Sequence, residues 1–114
     1  MAIDSYSFGK IQVNGKIYSS DLIIYPNNID SPWWRKEGHQ LQMEDLTQIL
    51  ERKPDLLIIG TGYMGVMRVS KKLKDQIMAL GVNLYVARTQ KAIDHYNSLR
   101  NKDKTIVAAL HLTC

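Results

Sequence analysis

Cysteine is nearly absent from this 114-residue chain: Cys114 is its only one. A single thiol cannot close an internal disulfide, so the fold cannot depend on one. His39, His95 and His111 lie far apart in the sequence without paired-ligand spacing, so neither a metal nor any other cofactor is expected. Long apolar runs are missing too. The stretch IVAAL at Ile106 to Leu110 is among the longest, far short of the ~20 residues that span a bilayer. The first ten residues, MAIDSYSFGK, lack the basic start, apolar centre and cleavage site of a secretory leader. The expected compartment is therefore cytoplasmic.

What the chain does contain is ordinary for a folded domain. Apolar residues make up 45% and charged residues 23%, a balance that excludes a disordered chain. Its length suits one hydrophobic core, so residues 1–114 are read as a single domain. Lys and Arg outnumber Asp and Glu by 15 to 11, which draws attention to anionic partners. The charges are scattered, however. The densest groups, Lys71-Lys72-Lys74 and Arg100-Lys102-Lys104, fall where solvated helix surfaces or loops are expected. No nucleic-acid motif accompanies them, so nucleic acid is not the expected partner.

Periodicity gives the element order β-β-α-β-α-β-α-β. Alternating residues from Tyr6 to Val13 approach Asn14-Gly15, and β-branched and aromatic residues resume from Ile17 to Tyr25. Asn-Gly between two such runs predicts a hairpin, because both residues tolerate positive φ. Asn27 to Gln40 reads as a loop. Met43, Leu46, Ile49 and Leu50 then recur at helical spacing, ahead of Pro54. Leu56 to Ile59 reads as a strand buried on both faces. Ser70 is placed to cap a helix bearing Leu73, Ile77 and Leu80, which Gly81 ends. Val82 to Ala87 is the next strand. Thr89 is placed to cap a helix bearing Ala92, Ile93, Tyr96 and Leu99. Thr105 to Thr113, apolar on both faces, is expected to be a central strand.

Three groups of residues invite a chemical reading. Gly60-Thr61-Gly62-Tyr63-Met64-Gly65 spells G-x-G-x-x-G after a strand, the pattern of a dinucleotide-binding turn. Four residues, Val66 to Val69, separate it from Ser70, and the next strand ends in Ala87-Arg88 rather than in an acid. A strand-end turn is the better reading. Trp33-Trp34-Arg35 offers either an interface anchor or a cover for an open end of the sheet. His111 and Cys114 are a thiol and an imidazole near each other in sequence, but alternation on a strand points them to opposite faces. No acid, base and nucleophile set emerges, so no reaction is specified.

Trp34-Arg35, Gly60-x-Gly62, Thr89-x-x-Ala92-x-x-x-Tyr96-Asn97-x-Leu99 and His111-x-Thr113-Cys114, taken in order, resemble a widespread family of domains of unknown function. That family includes the mitochondrial complex I assembly factor three and an adipogenesis-associated cytosolic protein, as well as small prokaryotic members, to which this chain is similar. The resemblance covers nearly the whole chain. It implies a three-layer β/α/β-type domain, with an N-terminal β-hairpin and a mixed, five-stranded central sheet whose C-terminal strand is central and antiparallel to the others. It also implies that Gly65 and Arg88 stand outside the shared pattern.

Two functional expectations follow. The first is a non-enzymatic binding or assembly-type module that presents Trp33, Trp34 and Arg35 to a protein partner or to its own copy. The second is a site for a small anionic metabolite, where Gly60, Thr61, Gly62, Arg88, Thr89, Asn97 and His111 approach one another and the N–H groups of a strand-end turn and a helix start face the ligand.

Overall fold

The computed structural model describes residues 1–100 and 102–114. Its first three strands, β1 (Ile3–Ser7), β2 (Lys10–Val13) and β3 (Lys16–Tyr18), form a small antiparallel sheet. Asn14 and Gly15 take φ of 49° and 80° between β2 and β3, the two positive values that a type I′ turn demands. The expected second arm of the hairpin, Ile17 to Tyr25, is split. Ser19, Ser20 and Asp21 interrupt it, and the chain leaves the small sheet to enter the large one as β4 (Leu22–Ile24).

The region expected as a plain loop holds a further short strand, β5 (Ile29–Asp30), paired with β4. A 3-10 turn at Met43–Leu46 runs into α1 (Thr47–Glu51). Then come β6 (Leu56–Gly60), α2 (Lys71–Ala79), β7 (Asn83–Ala87), α3 (Thr89–Leu99) and β8 (Ile106–Leu110). The Ser70 hydroxyl accepts the Leu73 N–H at 3.1 Å and caps α2 as expected. Thr89 does not cap α3. It is the first helical residue, and its hydroxyl is engaged elsewhere.

The large sheet has the order β5-β4-β8-β6-β7. β8 is central, as its two apolar faces require, but it is antiparallel only to β4. It runs parallel to β6, and β6 runs parallel to β7. The reason is the connections: strands joined through α2 and α3 must return in the same direction, whereas β4 enters without a helical crossover.

The molecule is layered about this sheet. On one face Ile23, Leu57, Ile59, Val107 and Ala109 meet Leu46 and Ile49 of the α1 region and Leu73 and Ile77 of α2. On the other, Ile24, Ile58, Ala108 and Leu110 meet Ala92, Ile93 and Tyr96 of α3 together with Ile3, Ile11 and Val13 of the small sheet. Each fully buried Ile or Leu contributes ~1.5–3 kcal/mol relative to exposure. These two clusters therefore hold the sheet from both sides and fix where its ends lie.

Candidate functional site

Because β6, β7 and β8 are parallel, their C-terminal ends, Gly60, Ala87 and Leu110, reach one edge of the sheet in register. β4 runs the other way, and Leu22 pairs with Leu110. Its first residue therefore starts at that same edge, and Asp21, just before it, arrives beside His111.

Asp21 is the hub. Its Oδ2 accepts from Arg35 Nη2 at 2.8 Å and from His111 Nδ1 at 2.7 Å, while Oδ1 accepts the Leu112 N–H at 2.7 Å. A carboxylate only accepts, so His111 must carry its proton on Nδ1. Arg35 Nη2 lies 3.1 Å from that same nitrogen. Since a guanidinium only donates, its useful bonds are those to Asp21 and to the Gly38 carbonyl at 3.2 Å. Burial pushes the Asp21 carboxyl up, but the bonds from His111, the Leu112 N–H and Arg35 outweigh it and hold Asp21 below the ordinary carboxylate value.

The cluster is largely buried, with the Asp21 side chain 16% exposed. The side chains of Arg35 and His111 are only 5% and 6% exposed, and Arg35 stacks over the Trp33 ring at 4.7 Å. Among the described residues, Arg35 Nε, Arg35 Nη1 and His111 Nε2 are buried with no hydrogen-bond partner. The His39 ring lies edge-on to that of His111, with centroids 5.9 Å apart. Among the described residues, no three His, Cys, Asp or Glu side chains are grouped so that they could hold a metal ion.

A second knot joins the strand ends behind it. The Thr89 hydroxyl donates to the His111 carbonyl at 2.6 Å and accepts the Gly62 N–H at 2.9 Å. The Thr89 N–H donates to the Gly62 carbonyl at 3.1 Å, and the His111 N–H to the Gly60 carbonyl at 3.0 Å. Glycine is needed here. A Cβ on Gly60 would lie 2.8 Å from the Thr89 hydroxyl, and one on Gly62, whose φ is +112°, would lie 2.3 Å from the Cys114 carbonyl carbon. Beyond the knot, Tyr63 N–H and Val66 N–H donate to the carbonyls of Thr113 and Cys114 at 2.7 and 2.9 Å. The glycine loop thus turns its N–H groups toward the C-terminal segment. Gly65 also has a role: its φ is +73°, and a Cβ there would sit 3.1 Å from Arg88 Cγ.

This geometry meets known proteins in several places. Residues 3–111 match the model of a family described as protein of unknown function (DUF498/DUF598). The chain belongs to that family. An uncharacterized protein of Rhodobacter capsulatus is 29% identical over 112 residues, which span 96% of this chain and 83% of that protein. The crystal structure of the conserved hypothetical protein PH1505 of Pyrococcus horikoshii is 27% identical, with a TM-score of 0.84 over 100% of both chains. A Bordetella pertussis protein described as a Mth938-like domain shares the fold at 20% identity, with a TM-score of 0.67 over 97% of this chain and 85% of that one.

Within this family member, Gly60, Thr61, Gly62, Thr89 and His111 do come together, with Arg88 at the margin. The Thr61 hydroxyl bonds the Ala87 carbonyl at 3.2 Å. Asn97 is not part of the group. It lies two turns along α3, where its amide both accepts from the Ile3 N–H at 3.1 Å and donates to the Ile3 carbonyl at 2.9 Å, docking β1. The Trp33–Arg35 group also divides. Trp33 is buried, with its indole N–H on the Asp45 carbonyl at 3.2 Å, and Arg35 turns inward. Only Trp34 faces outward, at 76% exposure. Asp21 escaped the sequence reading. Its one signal is that Ser19-Ser20-Asp21 breaks an otherwise β-branched and aromatic run.

Proposed function

We propose that this protein is a non-enzymatic binding module of an assembly type, and that its partner-facing surface is the groove rimmed by Trp34. The observation that carries the reading is the contrast within one tripeptide: Trp33 and the Arg35 side chain are buried, while the indole between them is 76% exposed. It overlooks a groove of about 1080 Å³. An indole in solvent beside a broad concavity is a typical interface anchor, and such a residue commonly accounts for about 2 kcal/mol or more of binding.

The groove has a sign. Among the described residues that line it, Asp30, Glu44 and Glu51 stand with one cation, Lys36, whose Nζ lies 3.9 Å from Glu44 Oε2, and Asp45 is occupied by the backbone of Lys36 and Gln42. Acid around an indole suits a basic segment, whose Lys or Arg can both pair with carboxylates and stack on the ring. The largely buried cluster supports the same reading. His111 Nε2 is buried and, among the described residues, has no hydrogen-bond partner. The cluster therefore fastens the Arg35 loop to the sheet, and with it the segment that presents Trp34.

The test compares wild type with Trp34→Ala and with Glu44→Lys/Glu51→Lys, using affinity capture from a native lysate and light scattering for self-association. Trp34→Ala is expected to weaken the captured complex about 30-fold, the equivalent of ~2 kcal/mol. Identical captured partners and an identical oligomeric state in all three proteins would end the proposal.

A further inference from the structure

At the same edge of the sheet, a cleft of about 610 Å³ lies between the β1–β2 turn and the first turn of α3. Three aromatic rings form one wall. Phe8 and Tyr63 meet edge-on with centroids 5.9 Å apart, and Tyr6 lies 6.2 Å from Tyr63. Phe8 and Tyr63 are each about half exposed, at 55% and 51%. Arg88 and Lys91 also line the cleft. Neither makes an ion pair or side-chain hydrogen bond among the described residues, and no side chain caps the first turn of α3. One carboxylate, Asp94, also borders the cleft and accepts from Gln90 Nε2 at 3.1 Å. Two cations and one acid therefore line the cleft beside the aromatic rings.

We infer that this cleft binds a small planar aromatic carboxylate. The volume falls within the ~300–1,000 Å³ of ordinary small-molecule sites. The edge-on pair leaves ring faces open for a flat guest. Arg88 offers a planar fork that matches a carboxylate in two bonds, where a lysine alone would give a point charge. The wall is also preorganised, which lowers the entropy cost of binding. The Tyr6 hydroxyl donates to the Leu112 carbonyl at 2.8 Å, and the Gly9 N–H donates to that same carbonyl at 2.9 Å. The Tyr63 N–H is held by Thr113. Gly65, having no Cβ, lets the Arg88 stem lie against the loop. This site is separate from the Trp34 groove, and neither reading depends on the other.

The experiment is a titration of the 15N-labelled full chain followed by amide chemical shifts. The probes are indole-3-acetate and its neutral isostere, indole-3-acetamide. The acid is expected to shift the amides of Tyr63, Gln90 and Lys91 and to bind at least about tenfold more tightly than the amide, since charge-assisted bonds are lost with the carboxylate. Arg88→Ala should remove that preference, and Phe8→Ala should weaken both probes. Equal binding of acid and amide to wild type, shifts centred elsewhere, or no binding of the acid would overturn the inference. The two wild-type titrations decide the matter whether or not either variant folds.

Discussion

Asp21 shows how much one side chain can organise. It neutralises a buried guanidinium, orients an imidazole and holds the backbone just after β8. Breaking such a buried pair from one side typically costs ~3–5 kcal/mol, because the remaining charge is left uncompensated. Asp21→Asn is therefore expected to lower stability in urea by about 3 kcal/mol at neutral pH. The pH dependence follows from the sign of the shift. The folded-state pKa of Asp21 lies below its ordinary value of 3.8, so its contribution is complete above that value and is lost as pH falls through the lower folded-state one. The gap between wild type and Asp21→Asn should narrow in acid. Urea midpoints across that range check this, and a gap independent of pH would show that Asp21 acts through packing alone. Trp33, Trp34 and Arg35 teach the complementary lesson. Residue type marks the tripeptide as special, but only the chain path decides which side chain is buried.

At the scale of elements, much was legible because the signals were local. Asn14-Gly15 dictates its own turn, Ser70 caps α2, and the two apolar faces of Ile106 to Leu110 require a central strand. What was not legible depends on partners distant in sequence. The splitting of the second hairpin arm into β3 and β4 is forced by two sheets competing for one strand. β5 exists only because β4 offers it an edge. Thr89 belongs to the same class. A threonine at a helix start reads as a cap, yet its hydroxyl joins the β6–α2 loop to the end of β8, 27 and 22 residues away in sequence. Thr89→Val keeps the shape and removes both bonds, leaving a buried N–H and a buried carbonyl each short of a partner. An unsatisfied buried group costs ~1–3 kcal/mol, so a loss of about 3 kcal/mol is expected, with Thr89→Ser losing much less. Thermal or urea unfolding of the pair separates the two. Equal losses would mean that the methyl group, not the hydroxyl, matters.

For the whole molecule, charge and layering point in different directions. The chain is basic, with a formal charge of +4, yet the Trp34 groove is bordered by Asp30, Glu44 and Glu51. An acidic concavity on a basic body favours a basic partner locally while the remaining surface repels it, so attraction must act at short range. It also allows self-association: the Lys71–Lys74 end of α2 on one copy would suit the groove of another. A head-to-tail contact of that kind does not close on itself by a twofold, and would give species that grow with concentration. Salt tests either case. The screening length falls from ~10 Å at 0.1 M to ~3 Å at 1 M, so raising ionic strength should weaken association through the groove. Glu44→Lys/Glu51→Lys should start weaker and respond less to salt, because the groups being screened are gone. Trp34→Ala should shift the whole curve while keeping its slope, since the indole contributes area rather than charge. A wild-type affinity that does not change with salt would remove the carboxylates from the interface and leave the indole to carry it alone.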